Sequence, residues 1–265
     1  MVAGKFPKEV MIGRYDPTVS QVQIVAIVDT VGRSAELQVA AARLGVNFKH
    51  IDVHSVYGNG RAIFNAFAVL ENTTLSAGKL ETELRKTGYT INVNVVAGKA
   101  GALVDTLAFP VIWGGQRGIF MRQKAVLNMF SGIRSMLGKQ GDMLLYNSGY
   151  AYGSDLSRFL TDVTGAEKML ETWVYALMLL SAGGWGVPDV EPGGTHITIS
   201  ECFECAGRKA DQGICNFMRG MLTGFMEPTV GKLISIKEIA CAAKGDNECK
   251  FLLDFGNPVS GQNQQ

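Results

Sequence analysis

All five cysteines of this 265-residue chain fall between residues 202 and 249. Thiols this dense in one segment become disulfides in an oxidising compartment, and metal ligands or small buried hydrophobes in a reducing one. The opening residues, Met1-Val-Ala-Gly-Lys-Phe-Pro-Lys-Glu, place no apolar run behind their positive charges, so they do not read as an export signal. A cytoplasmic location with reduced thiols is the expectation. The 25 basic and 24 acidic residues leave a formal charge of +1, which argues against a basic face for nucleic acid or a polybasic membrane anchor. A hydrophobic fraction of 47% over this length supports a conventional buried core rather than disorder.

Three of the cysteines and one glutamate form the pattern C-x22-E-x2-C-x7-C, from Cys215 through Glu238 and Cys241 to Cys249. Cys241 and Cys249 bracket the turn Lys244-Gly-Asp-Asn247, so a hairpin would bring their sulfurs together on adjoining strands. Glu238 precedes Cys241 by three residues, which in a regular strand places the two on opposite faces. A shared metal therefore requires a bulge or bend near Ile239-Ala240. Cys215 opens a helical run, where the positive end of the helix dipole favours a thiolate. Three thiolates and a carboxylate suit a tetrahedral structural zinc. The alternative is that the cysteines are packed hydrophobes and Glu238 a surface strand residue; spacing alone leaves both readings open.

The first hundred residues alternate regularly. Strand-like runs at Gln21–Asp29, Val46–Val53, Arg61–Glu71 and from Tyr89 are separated by helical stretches at Ser34–Leu44 and Leu75–Thr87, with Tyr57 to Gly60 as a turn. The order βαββαβ is the ferredoxin-like plan. In that order, and in Asp29-Thr-Val-Gly32-Arg33-Ser34 and Leu44-Gly45-Val-Asn-Phe48, the segment resembles an ACT domain. The resemblance implies a regulatory module that dimerises. It also implies a second ligand site at Asp29, Gly32 and Arg33, where free backbone N–H groups at a helix N-terminus suit a carboxylate.

The second half reads as α+β. Helical spacing runs from Val126 to Leu137 with Gly138 as the stop, and again from Ser154 and from about Ala166 to Gly183. Gly141 to Gly153 reads as a short apolar strand entering a glycine- and tyrosine-rich loop. His196–Cys202, Ile234–Ala242 and Cys249–Phe255 read as strands, and Cys215–Glu227 as a helix. Domains are expected at 1–100 and 101–256, followed by a polar tail at 257–265.

Residues from about 115 to 255 resemble the 4-vinyl reductase domain family. The matching stretches are Leu144-Leu-Tyr146-Asn-Ser-Gly149 with Gly153, Ala182-Gly-Gly-Trp-Gly186, and Cys215-Asn-Phe217 with Gly220-Met-Leu-Thr-Gly224-Phe225. The most specific is Glu238-Ile-Ala-Cys241-Ala-Ala-Lys-Gly245-Asp-Asn-Glu-Cys249-Lys-Phe251. In phenol-sensing activators with this domain, three cysteines and a glutamate in similar order hold a zinc. The resemblance thus implies zinc on Cys215, Glu238, Cys241 and Cys249. It also implies a small hydrophobic or aromatic ligand, bound near the hairpin among Tyr150, Trp173, Leu177, Trp185, His196, Phe217 and Met221. Gly220 and Gly224 lie on one helix face and permit close packing there.

Cys202 and Cys205 form a C-x2-C pair outside the family pattern; two ordinary thiols are the plainer reading, and an iron–sulfur or haem site the alternative. His50 and His54 read as surface or interface histidines. No nicotinamide or flavin motif is present. The reading is a non-catalytic sensor: an ACT-like dimerisation domain joined to a zinc-stabilised small-molecule domain, with a homodimer expected and neither nucleic acid nor membrane as partner. Two alternatives stand beside it: a role in reducing a tetrapyrrole vinyl group, and a structural adaptor related to vesicle-tethering subunits.

Overall fold

The structure is a computed structural model that describes residues 13–55, 60–71, 74–108, 110–113, 116–164 and 169–258. The turn read at residues 57–60 falls largely outside the described residues, as does the tail from 259. The chain divides into two compact units, up to Gly118 and from Ile119.

The first unit runs β1 (Gly13–Tyr15), β2 (Gln21–Val28), α1 (Arg33–Arg43), β3 (Val46–Ser55), β4 (Ala62–Leu70), α2 (Ala77–Lys86), β5 (Thr90–Ala97), β6 (Ala102–Val104), β7 (Ile112–Trp113) and β8 (Gln116–Arg117). Its antiparallel sheet has the order β3-β4-β2-β5, the ferredoxin-like arrangement expected of the βαββαβ sequence. Alternation explains the packing. Val22, Ile24, Ala26 and Val28 project from the central strand β2 into one core with Leu37 and Ala41 of α1 and Leu80 and Leu84 of α2. Gly45, at φ +87°, lets the chain leave α1 through a left-handed residue, and Ser76 caps α2 by accepting from the Lys79 N–H. Gln23 sits on the other face of β2 and is also fully buried. Its amide donates to Asn65 and Asp105 and accepts from the Thr106 N–H, which satisfies a polar side chain where water cannot reach.

The second unit runs α3 (Gln123–Leu137), α4 (Lys139–Thr164), α5 (Met169–Ala182), β9 (Val187–Val190), β10 (His196–Ser200), α6 (Asn216–Val230), β11 (Lys232–Ala240) and β12 (Cys249–Pro258). The antiparallel sheet order is β11-β12-β10-β9. The expected strand at residues 141–153 is instead the body of α4. Leu145, Leu156 and Leu160 are buried along it, and Gly149 and Gly153 face α6. Glycines that look like loop residues in the sequence are here the contact face of a helix. A Cβ on Gly149 or Gly153 would lie 2.1 or 2.0 Å from the carbonyl oxygens of Phe217 or Met221. A Cβ on Gly220 or Gly224 would lie 2.0 Å from those of Tyr146 or Tyr150. Four glycines, spaced i,i+4 on each helix, therefore let α4 and α6 cross backbone to backbone. Among the described residues, no helix is long and apolar enough to cross a membrane.

Candidate metal centre

Five acidic side chains meet at one end of the second unit. Cys205 closes the 3-10 turn Phe203–Cys205, Cys215 is the residue before α6, Glu238 lies near the end of β11, Cys241 follows that strand, and Cys249 opens β12. One ligand atom from each lies within 4.8 Å of every other. All four thiols are buried, three of them completely. The Cys205 sulfur is 3.0 Å from that of Cys215 and 3.3 Å from those of Cys241 and Cys249, and Cys215 lies 3.6 Å from Cys249.

Local backbone geometry makes this convergence possible. The register between β11 and β12 shifts between Glu238 and Ala240, so the strand is irregular where a common ligand position for Glu238 and Cys241 requires it. After Cys241 the chain turns through Ala242–Lys244 to Gly245 at φ +105°; Asp246 accepts from the Cys241 N–H at 2.8 Å, and the Ala242 N–H points at the Cys249 sulfur. Gly213 leaves room for the carboxylate: a Cβ there would be 2.4 Å from Glu238 Oε2. That oxygen accepts from the Cys215 N–H at 3.1 Å, while Glu238 Oε1 is buried with no hydrogen-bond partner.

So many acids cannot all ionise in one buried place without a counter-charge. Hydrogen bonding to Cys202 and the other thiols, together with burial, pushes the Cys215 thiol far above its ordinary value. Its hydrogen bond to Cys215 draws the Cys241 thiol down to about 4. Burial raises the Glu238 carboxyl to about 8. The donor set and the unpartnered oxygen fit a cation: the cluster is able to hold a metal ion.

The turn that carries Cys205 also reaches the interior. Glu204 is entirely buried and binds the N-terminus of α6 through the Met218 and Phe217 N–H groups at 2.9 and 3.3 Å. It pairs with Arg134 at 2.8 Å, which also donates to Asp142 and to the Ile214 carbonyl. Burial holds its carboxyl above the ordinary value, against the amides and the guanidinium that lower it. Phe203 packs edge-on to Trp185 at 4.8 Å, and Trp185 stacks on Phe217 with centroids 5.7 Å apart and planes 9° from parallel. Tyr152 and Phe130 complete this aromatic cluster.

The other candidates are dispersed. Leu177 and Met221 line a small apolar cavity with Leu156, Ala176, Leu180, Leu222 and Phe225, about 10 Å³ in volume and so room for roughly one water. Tyr150 donates to Glu227 at 2.7 Å, and this bond pushes its phenol up to about 12. His196 contacts Thr195 and Glu191 on the outer part of the sheet and does not join the aromatic cluster. The Trp173 side chain lies outside the described residues. In the first unit, Asp29, Gly32 and Arg33 sit at the exposed β2–α1 connection, with Arg33 paired to Glu36 and lying over the Tyr89 ring. Phe203, Tyr152, Phe130 and Cys205 are the residues that sequence reasoning missed. The Cys202–Cys205 spacing is the available signal for the last of them.

Comparison with known proteins adds to these observations. Residues 195–255 match the family model of the 4-vinyl reductase domain. An uncharacterized protein of Methanocaldococcus jannaschii, MJ0150, is 24% identical over 132 residues, which is 48% of this chain and 74% of that protein. Among solved structures, the phenol-responsive sensory domain of the transcription activator PoxR with phenol aligns at a TM-score of 0.46 and 18% identity, over 52% of this chain and 77% of that one. A vinyl-4-reductase family protein from Methanocaldococcus jannaschii aligns at 0.39 and 16%, over 53% and 85%. A trafficking protein particle complex subunit 3 from Naegleria fowleri, covalently bound to palmitic acid, aligns at 0.42 and 12%, over 52% and 98%. Residues 195–255 of this chain, which carry the five-donor cluster, are a 4-vinyl reductase domain.

Proposed function

We propose that the second unit is a non-catalytic small-molecule sensor whose fold is locked by a structural zinc, and that the ACT-like first unit serves as a dimerisation module. The observation that carries this reading is the Phe203–Cys205 turn, which puts one side chain into the aromatic cluster and another into the donor cluster. The match to the 4-vinyl reductase domain supports the same class of protein. Bound zinc would supply a fixed tetrahedral anchor with no open position for chemistry, as structural sites do. The chain's own residues then hold the shape. Cys241 and Cys249 tie the ends of the hairpin, Cys215 ties the start of α6, and Glu204 satisfies that helix's free N–H groups.

The flat faces of Trp185 and Phe217 and the edge of Phe203 suit an aromatic ring, and the cluster has to open to admit one because the described packing leaves room for only about one water. Phenol is a suitable probe: a flat ring with a single hydroxyl. Titrating it into zinc-loaded full-length protein is expected to change Trp185 fluorescence saturably and to raise the melting temperature of the second unit. A W185F variant should lose the optical signal. If neither fluorescence nor melting responds to phenol or to larger aromatic alcohols, the sensor reading is lost. The same outcome would favour a structural adaptor, the reading that the closely filled interior itself supports.

A further inference from the structure

Five donors surround a position that a tetrahedral zinc fills with four. We propose that Cys205 is the fourth thiolate of the centre and that Glu238 is its replacement ligand; this rests on the metal reading above and changes who holds the ion. A tetrahedron with metal–sulfur bonds of about 2.3 Å has sulfur–sulfur edges of about 3.8 Å. The four edges among Cys205, Cys215, Cys241 and Cys249 given above, 3.0 to 3.6 Å, are those of a slightly contracted tetrahedron, which an ion at its centre expands by a few tenths of an ångström. Cys205 contributes three of those four edges, so it completes the set and does not merely adjoin it. The spread also limits what the site holds. Thiols this close enclose a single ion, whereas an iron–sulfur cluster sets metal and sulfide between its cysteines and spreads them further.

Rigidity decides between the two competing ligands. Cys205 ends a buried 3-10 turn whose backbone is bonded to Cys202 and Arg208, and its neighbour Glu204 is fixed by Arg134 and two helix amides. Its sulfur is therefore in place before any ion arrives. Glu238 has a longer side chain, with one oxygen engaged by the Cys215 N–H and the other buried and unpartnered. That free oxygen can turn to the ion once a thiolate is missing. Cys202, 3.7 Å from the Cys215 sulfur, stands outside the five donors and is placed to hydrogen-bond to that thiolate.

X-ray absorption at the zinc edge of zinc-loaded full-length protein tests this by counting the atoms bound to the metal. The wild type is expected to show four sulfurs at about 2.3 Å and no oxygen near 2.0 Å. Glu238→Gln should leave that count unchanged, and Cys205→Ala should give three sulfurs and one oxygen with one zinc retained. The double variant C205A/E238Q should lose its zinc to a chelator that the single variants withstand. A wild type with three sulfurs and one oxygen overturns the proposal while leaving the metal reading intact, as does loss of zinc from Glu238→Gln alone. A wild-type chain that binds no metal overturns both.

Discussion

Replacing Gly224 by alanine is expected to lower the stability of the second unit by at least ~3 kcal/mol net, a large part of the ~5–15 kcal/mol typical of a folded domain. The sign is decided by a competition. In an ordinary helix interior the change gains up to ~1 kcal/mol, because glycine is the poorer helix former. Here the new Cβ would lie 2.0 Å from the Tyr150 carbonyl oxygen, a backbone atom of the opposing helix that cannot swing aside. The crossing of α4 and α6 must widen, and the buried layer of Leu145, Leu156, Met218, Met221, Leu222 and Phe225 loses contact as it does. Gly132 of α3 is the control: a Cβ there meets nothing within 4 Å, so Gly132→Ala should be neutral or slightly stabilising. Thermal unfolding followed by circular dichroism reads both. A drop of about 10 °C for the first variant and none for the second is expected; equal effects would show that the glycine crossing is not what limits the packing.

Removing the metal is expected to have an effect of similar size, confined to the second unit. Binding to the folded form alone contributes RT ln(1 + [L]/Kd), about 4 kcal/mol when free zinc is a thousand times the dissociation constant. Without the ion, four buried thiols and a carboxyl must share protons in a space where ionising more than one is unfavourable. A strong chelator should therefore lower the melting transition of the second unit by more than ~10 °C. The transition of the first unit, which contains no cysteine and has its own core, should stay where it is. Lowering the pH should act in the same direction as the chelator, since protons compete with the ion for the thiolates. Unchanged melting in chelator would mean that the thiols are packed as ordinary small side chains.

The parts of this protein that follow a short period are readable from the residues. The first unit obeys strict alternation in β2 and β4, clear caps at Ser76 and Gly45, and short connections, and its βαββαβ order is as the spacing predicts. The irregularity after Glu238 is predictable for a different reason: a strand cannot turn residues 238 and 241 to one side unless its register breaks, and it does break there. Helix α4 is not legible in the same way, because Gly141, Gly149 and Gly153 carry the local signature of a loop. The role of the last two depends on a second glycine-bearing helix some seventy residues away, which no local window contains. Cys205 escapes for a related reason. Residues 202 and 205, read as strand, point apart, whereas the chain there winds into a 3-10 turn and aims one thiol into the cluster. Nearness in sequence to the aromatic and cysteine-bearing segments draws His196 towards the pocket, but on β10 its side chain pairs with Thr195 and Glu191.

Native mass spectrometry of the full-length protein, purified without added metal under reducing conditions, tests the central claim most directly. The account predicts one zinc ion per chain, retained in gentle ionisation and absent from a variant in which Cys215, Cys241 and Cys249 are all replaced by serine. A wild-type chain that flies metal-free while its second unit remains folded would contradict it.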